Sequence, residues 1–205
     1  MEFLIGAIAL GIVFLYGCVG EIVMEKAGHL NLGIPGIMCI GTVGGAFGVS
    51  LYMGGLPAGG QAQWFPLILS ATFFSILFSA LGGLIYGFLT VTLQSNQNIT
   101  GLALTTFGAG FANHFMNAVD KTGFAAASRV ISRGFVDNGA NPVARLFLSY
   151  GFYVYFAIAI ALVAAFVLRK TRVGLNLRAV GENPATADAA GINVTAYKYS
   201  AILIG

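Results

Sequence analysis

From Ala27 to Val119 the chain runs 93 residues without a formal charge. A soluble domain carries about one charged residue in four. A run this long would leave it with a broad uncharged surface in water. Two shorter runs accompany it, 18 residues from Phe3 to Gly20 and 23 from Leu146 to Leu168. A membrane-spanning helix needs about 20 apolar residues, so the three runs hold several spans. Lys, Arg, Asp and Glu make up only 8% of the 205 residues, and 58% are hydrophobic. That excludes a soluble enzyme and a disordered chain. The net charge of +3 comes without a basic block or an aromatic-interleaved basic patch, so no nucleic-acid partner is expected. The expected class is an all-α polytopic membrane protein, multi-pass in the lipid bilayer.

Five complete spans are expected, at 4–20, 34–53, 67–93, 101–117 and 149–168, with the start of a sixth at 197–205. The last seven residues, YSAILIG, cover about 10 Å of a core about 30 Å thick, so the chain reads as cut inside a span. The first charge is Glu2, and no Lys or Arg precedes the first apolar run, so no cleavable signal is expected. Cys18 and Cys39 fall in apolar segments and read as free and buried. Arg169, Lys170, Arg172 and Arg178 cluster after the fifth span and place its end in the cytoplasm. Counting back puts 118–148 outside as an extracytoplasmic loop, 94–98 inside, 54–66 outside, 21–33 inside and the N-terminus outside. Within 118–148, AASRVISRGF (126–135) reads as a short interfacial helix.

Three segments carry polarity that needs a reason. The loop 169–198 holds a short helix, with Asn183 as N-cap, Pro184 at the first helical position and Gly191 just past the end. Its side chains are small, which suits insertion into a groove on another protein; an ordinary capped loop is the alternative. Asn31 lies at a Gly/Pro-flanked break that either lines a solute path or is a plain turn. His29 beside it reads as a polar loop residue. Ser95, Asn96, Gln97 and Asn98 offer amides to a solute, or they cap the fourth span through Asn98. Asn113 and Asn117 share a helix face, with His114 adjacent, and form either a polar gate or interhelical hydrogen bonds. No motif for catalysis, metal binding or nucleotide binding is present, so any ATPase is a separate chain.

Three stretches carry a resemblance. GLNLRAVGENPATADAAGINV (174–194) resembles the cytoplasmic coupling loop of permeases in the ribose/branched-chain-amino-acid branch of bacterial ABC importers. AGHLNLGIPGIMCIG (27–41) and LQSNQNITGLALTTFGAG (93–110) resemble motifs of the basic-membrane-protein-type nucleoside and simple-sugar permeases in that branch. One departure stands out: Pro35 occupies a position where many members carry Glu. The resemblance implies a single permease domain whose coupling loop docks on a cytoplasmic ATP-binding subunit. The docking residues it implies are Gly174, Arg178, Ala179, Gly181, Glu182, Asn183, Pro184, Ala187, Ala190, Gly191 and Ile192. It also implies a second, different permease subunit, an external substrate-binding lipoprotein and a bacterial inner membrane. ATP and Mg would sit on the partner ATPase, with no cofactor in this chain.

The expected function is therefore the permease subunit of an ATP-driven importer for an uncharged, hydrogen-bonding solute such as a nucleoside or simple sugar. Asn31, Asn96, Gln97, Asn98, Asn113, His114 and Asn117 are its pathway candidates. The alternatives are an ion-coupled secondary transporter and a channel that uses no ATP. The first normally places ionisable groups inside spans, which the uncharged runs do not offer.

Overall fold

The computed structural model describes residues 2–57, 62–133 and 148–205. The regular elements among the described residues are helices: α1 (Glu2–Lys26), α2 (Ile34–Gly54), α3 (Trp64–Gly87), α4 (Gln97–Ala118), α5 (Phe124–Ile131), α6 (Phe152–Lys170), α7 (Arg172–Glu182), α8 (Pro184–Ala189) and α9 (Val194–Ile204). A π-helical turn, Phe88–Thr92, extends α3. Helix is what the apolar runs require, because a backbone in hydrocarbon must satisfy its own polar groups.

Four of these helices are long and apolar enough to cross a membrane: Phe3–Lys26, Ile34–Gly54, Trp64–Thr92 and Phe152–Lys170. Five were expected. At 22 residues α4 has the length, but its threonines, asparagines and histidine keep it out of the apolar set. Of the short helix expected at 126–135, the described residues show α5 at Phe124–Ile131, starting two residues earlier. Residues 134–147, within the loop expected outside, lie outside the described residues.

Helix α2 is the centre of one layer. Its glycines let two neighbours come close. A Cβ at Gly44 would lie 2.7 Å from Phe78 Cβ, and one at Gly48 would lie 2.7 Å from the Ser70 carbonyl oxygen, both on α3. On the other side Gly36 meets the backbone of α4 at Leu104–Thr105, and Gly108 of α4 faces Gly36 in return. Small residues at a helix crossing allow this approach in a membrane, where apolar packing alone gives little drive.

A second layer is α1, α6, α7 and α9. Tyr16 of α1 donates from its hydroxyl to the Tyr153 carbonyl of α6 at 2.7 Å. Helix α9 lies between α1 and α3, with Tyr199 and Ile202 against Gly87. Met24, Ile40, Tyr86, Leu104 and Ile202 form the core where the layers join. Cys18 and Cys39 are free; Cys18 is exposed and Cys39 half-buried, against the expectation that both are buried. The reason is the open face of α1, whose 18-residue apolar window is only 6% buried. Apolar residues here face outward, as they do toward lipid.

The helices alternate in direction, and their connections sort to two ends. At one end the α1–α2 turn meets α4, α7 and the start of α9. At the other, Tyr52 accepts from the Gln63 amide at 3.1 Å, Trp64 packs edge-on to Phe152 at 5.6 Å, and Gly123 meets Met53. Thus 21–33, 94–98 and 169–198 share one side, as the charge count requires.

Candidate functional site

The α7–α8 unit is built from caps. Thr171 Oγ1 accepts from the Gly174 amide at 3.2 Å and starts α7. Asn183 Oδ1 accepts from the Thr186 amide at 3.1 Å and starts α8, with Pro184 in its first turn. Asn193 Oδ1 does the same for α9, accepting from Ala196 at 2.9 Å. Gly191 ends α8 in the left-handed region at φ +81°, where a residue without Cβ costs least. The short helix read from the sequence therefore forms, with its caps where expected.

Helix α7 is fixed on three sides. Arg178 Nη2 donates to the Leu168 carbonyl at the end of α6 at 2.8 Å. Gly174 is buried on α6, where a Cβ would lie 2.6 Å from Leu168 Cα. Asn176 donates to the Tyr197 hydroxyl of α9 at 2.9 Å. Gly181 rests on the α1–α2 turn, where its Cβ would meet the Lys26 carbonyl and the Gly28 amide nitrogen. Helix α8 projects from this base. Ala187 is its buried residue, at 3% exposure, while Pro184, Ala185, Thr186, Asp188 and Ala189 are exposed. At 100° per residue, Ala185 and Ala189 lie opposite Ala187. Ala187 thus seats α8 on its own chain, and Ala185 and Ala189 head its outer face. Glu182, Asn183, Ala190 and Gly191 are also exposed, and Ala179 and Ile192 are half-buried.

The α1–α2 turn is the junction between this unit and the spans. Gly28 closes α1 at φ +80°, with His29 N–H bonded to the Met24 carbonyl at 3.1 Å. Asn31 is 2% exposed and serves as a turn residue. Its Oδ1 accepts from Gly33 N–H at 2.8 Å, and its own N–H donates to Glu21 at 3.1 Å. His29 is 1% exposed, which a polar loop residue would not be. Burial, helped by Lys198, pushes its pKa down to about 4, so the ring is neutral near pH 7. Gln97 Oε1 accepts from Leu30 N–H at 2.9 Å, and Tyr86 donates to the Leu30 carbonyl at 2.9 Å. Asn31 and Gln97 therefore come together, but as parts of a joint rather than a surface. Glu21, Gly28 and Tyr86 complete it. The sequence signal for Gly28 was its position after Lys26, where a helix ends; Glu21 and Tyr86 gave none.

Asn98 does not cap α4. Asn96 does, accepting from Asn98 N–H at 3.0 Å and Ile99 N–H at 3.2 Å. An Asx side chain reaches two and three residues ahead, so the cap falls one residue before the helix. Asn96→Ala is expected to cost about 1 kcal/mol of stability and Asn98→Ala under about 0.5 kcal/mol, measured by thermal unfolding in detergent.

Asn113, His114 and Asn117 lie at the other end of α4 and are exposed. With Thr106 and Gly110 they occupy the face turned away from Gly101 and Gly108, which pack on α2. A Cβ at Gly110 would meet nothing within 4 Å. Asn117 Nδ2 donates to the Asn113 carbonyl at 3.0 Å. Phe107, Phe111 and Phe115 form a ladder beside this face, with centroids 6.0 and 4.4 Å apart. Lipid cannot solvate such a face, so it belongs against protein or a polar path.

A nucleoside ABC transporter permease protein of Lactococcus lactis, NupC, is 28% identical over 93% of this chain and 59% of its own length. A guanosine ABC transporter permease protein of Bacillus subtilis, NupQ, is 30% identical over 90% of this chain and 57% of its own. A proposed glucose ABC transporter permease of Haloferax volcanii, TsgC13, is 32% identical over 94% of this chain and 55% of its own. The chain thus spans somewhat over half the length of these relatives. No solved structure matches. The family model for the branched-chain amino acid transport system / permease component matches residues 3–205, nearly the whole chain, and the chain belongs to that family.

Proposed function

We propose that this chain forms part of the solute pathway of an ATP-driven importer, for a nucleoside or simple sugar. The observation that carries this reading is α8, a small-residue helix held off the membrane end of the fold by a base anchored to α1, α6 and α9. That is a surface for a cytoplasmic ATP-binding subunit, which would carry the ATP and Mg. The names of the relatives support the solute class, and the uncharged face of α4 suits a neutral, hydrogen-bonding ring. A second permease subunit, an external substrate-binding lipoprotein and a place in the cell's inner membrane follow from the same reading.

One observation favours ion coupling. Glu21 lies within α1, and its Oε2 is buried with no hydrogen-bond partner. Its Oε1, however, is engaged with the Asn31 amide. Uptake of labelled nucleoside into right-side-out vesicles, with ATP supplied inside, separates the two. ATP-dependent uptake that survives Glu21→Gln and collapse of ion gradients is expected. Uptake that runs on an ion gradient without ATP overturns the proposal.

A further inference from the structure

A groove of about 610 Å³ opens between α1, α6 and α7 at the α8 end of the molecule. Pockets of 300–1,000 Å³ commonly hold small molecules. Its apolar lining is Val19 and Ile22 from α1 and Ala161, Ala165 and Leu168 from α6. Ala161 and Ala165 are four apart on one face of α6, so they leave a slot running along the two spans. Its charged lining is Lys26, Arg169 and Arg178 together with Glu25 and Glu182. Arg178 spends one nitrogen on the Leu168 carbonyl, while its Nε is buried and has no hydrogen-bond partner.

We propose that this groove holds one phospholipid whose headgroup carries both a phosphodiester and a primary ammonium, as phosphatidylethanolamine does. The spans fix its place at the boundary between hydrocarbon and headgroups. An acyl chain fits against Ala161 and Ala165. The phosphodiester meets Arg169, Lys26 and Arg178, since cations at helix ends reach the headgroup level. Glu25 and Glu182 decide between headgroups. They accept charge-assisted hydrogen bonds from a primary ammonium, none from a quaternary one and only neutral ones from a glycerol headgroup.

The test is competitive binding to the full-length protein in detergent, read by native mass spectrometry. Phosphatidylethanolamine, phosphatidylcholine and phosphatidylglycerol with identical chains are added in equal amounts. Phosphatidylethanolamine is expected to be retained about tenfold over the other two, the gain of one charge-assisted hydrogen bond. Glu25→Gln is expected to reduce its lead over phosphatidylcholine, and Ala165→Trp to displace all three. Equal retention of the three by the unmodified protein, or a lead for phosphatidylglycerol, overturns the proposal whether or not the variants fold. The site rests on α1 and α6 as spans and not on the transport reading, so this result and the uptake result fail separately.

Discussion

Replacing either outer alanine of α8 by a large ring, in Ala185→Trp or Ala189→Trp, is expected to cut ATP-driven uptake at least about tenfold while the protein remains folded in the membrane. Tenfold corresponds to about 1.4 kcal/mol, a modest loss for a bulky side chain at the centre of a docking surface. Both residues are exposed in this chain, so the ring meets nothing until the partner arrives. Ala187→Trp should behave differently. Ala187 is buried on its own chain, and overpacking such a site costs about 1–3 kcal/mol of fold stability. The pattern to measure is therefore two variants with normal membrane amounts and lost uptake, and one with reduced amounts. Uptake that persists in both outer variants would show that α8 does not dock. Co-purification of the ATP-binding subunit, lost in the outer variants only, reports the same contact without transport.

The difference between Ala187 and its neighbours marks what could be read from the residues alone. The helix over 184–190 was legible because capping is local: Asn183, Pro184 and Gly191 each act within four residues. Which side of that helix faces outward was not legible. Six residues with small side chains show no periodicity, and burial of Ala187 depends on the course of the chain around it. The same division holds elsewhere. Four of the five expected spans were legible from uncharged length, and the loops expected on one side, 21–33, 94–98 and 169–198, do gather at one end. Asn31 and Gln97 were recognised as polar residues needing partners, yet their partners are the Gly33 and Leu30 amides, one of them 67 residues distant. The side-chain oxygens of Asn31 and Gln97, which look available to a solute in the sequence, are used up inside the α1–α2 joint. Those at 113 and 117 remain on an open face because α4 turns only its glycine side to α2.

Gly181→Ala is expected to separate ATP hydrolysis from uptake. The argument is steric. A Cβ at Gly181 would stand 3.0 Å from the Gly28 amide nitrogen and closer still to the Lys26 carbonyl, and both are backbone atoms that cannot rotate away. The end of α7 must therefore lift from the α1–α2 turn. That turn holds Leu30 N–H on Gln97 and the Leu30 carbonyl under Tyr86, so it links α7 to α3 and α4 by two hydrogen bonds of 2.9 Å each. On the proposed function, a displacement of α8 by an ATP-binding subunit would reach α4 through this contact, and with the contact loosened that subunit would hydrolyse ATP without moving the path. The expected result is ATPase activity within about twofold of normal and uptake reduced about tenfold, a shift of about 1.4 kcal/mol in coupling. Gly191→Ala serves as the control. Position 191 has a positive φ, unlike the helical Gly181, but a Cβ there meets nothing within 4 Å. It carries only backbone strain of about 1 kcal/mol and leaves α7 seated on the turn. Equal loss of uptake in the two variants would mean that α7 needs only its local geometry. Loss confined to Gly181→Ala identifies the Gly28–Gly181 contact as the point where movement of the coupling loop enters the spans.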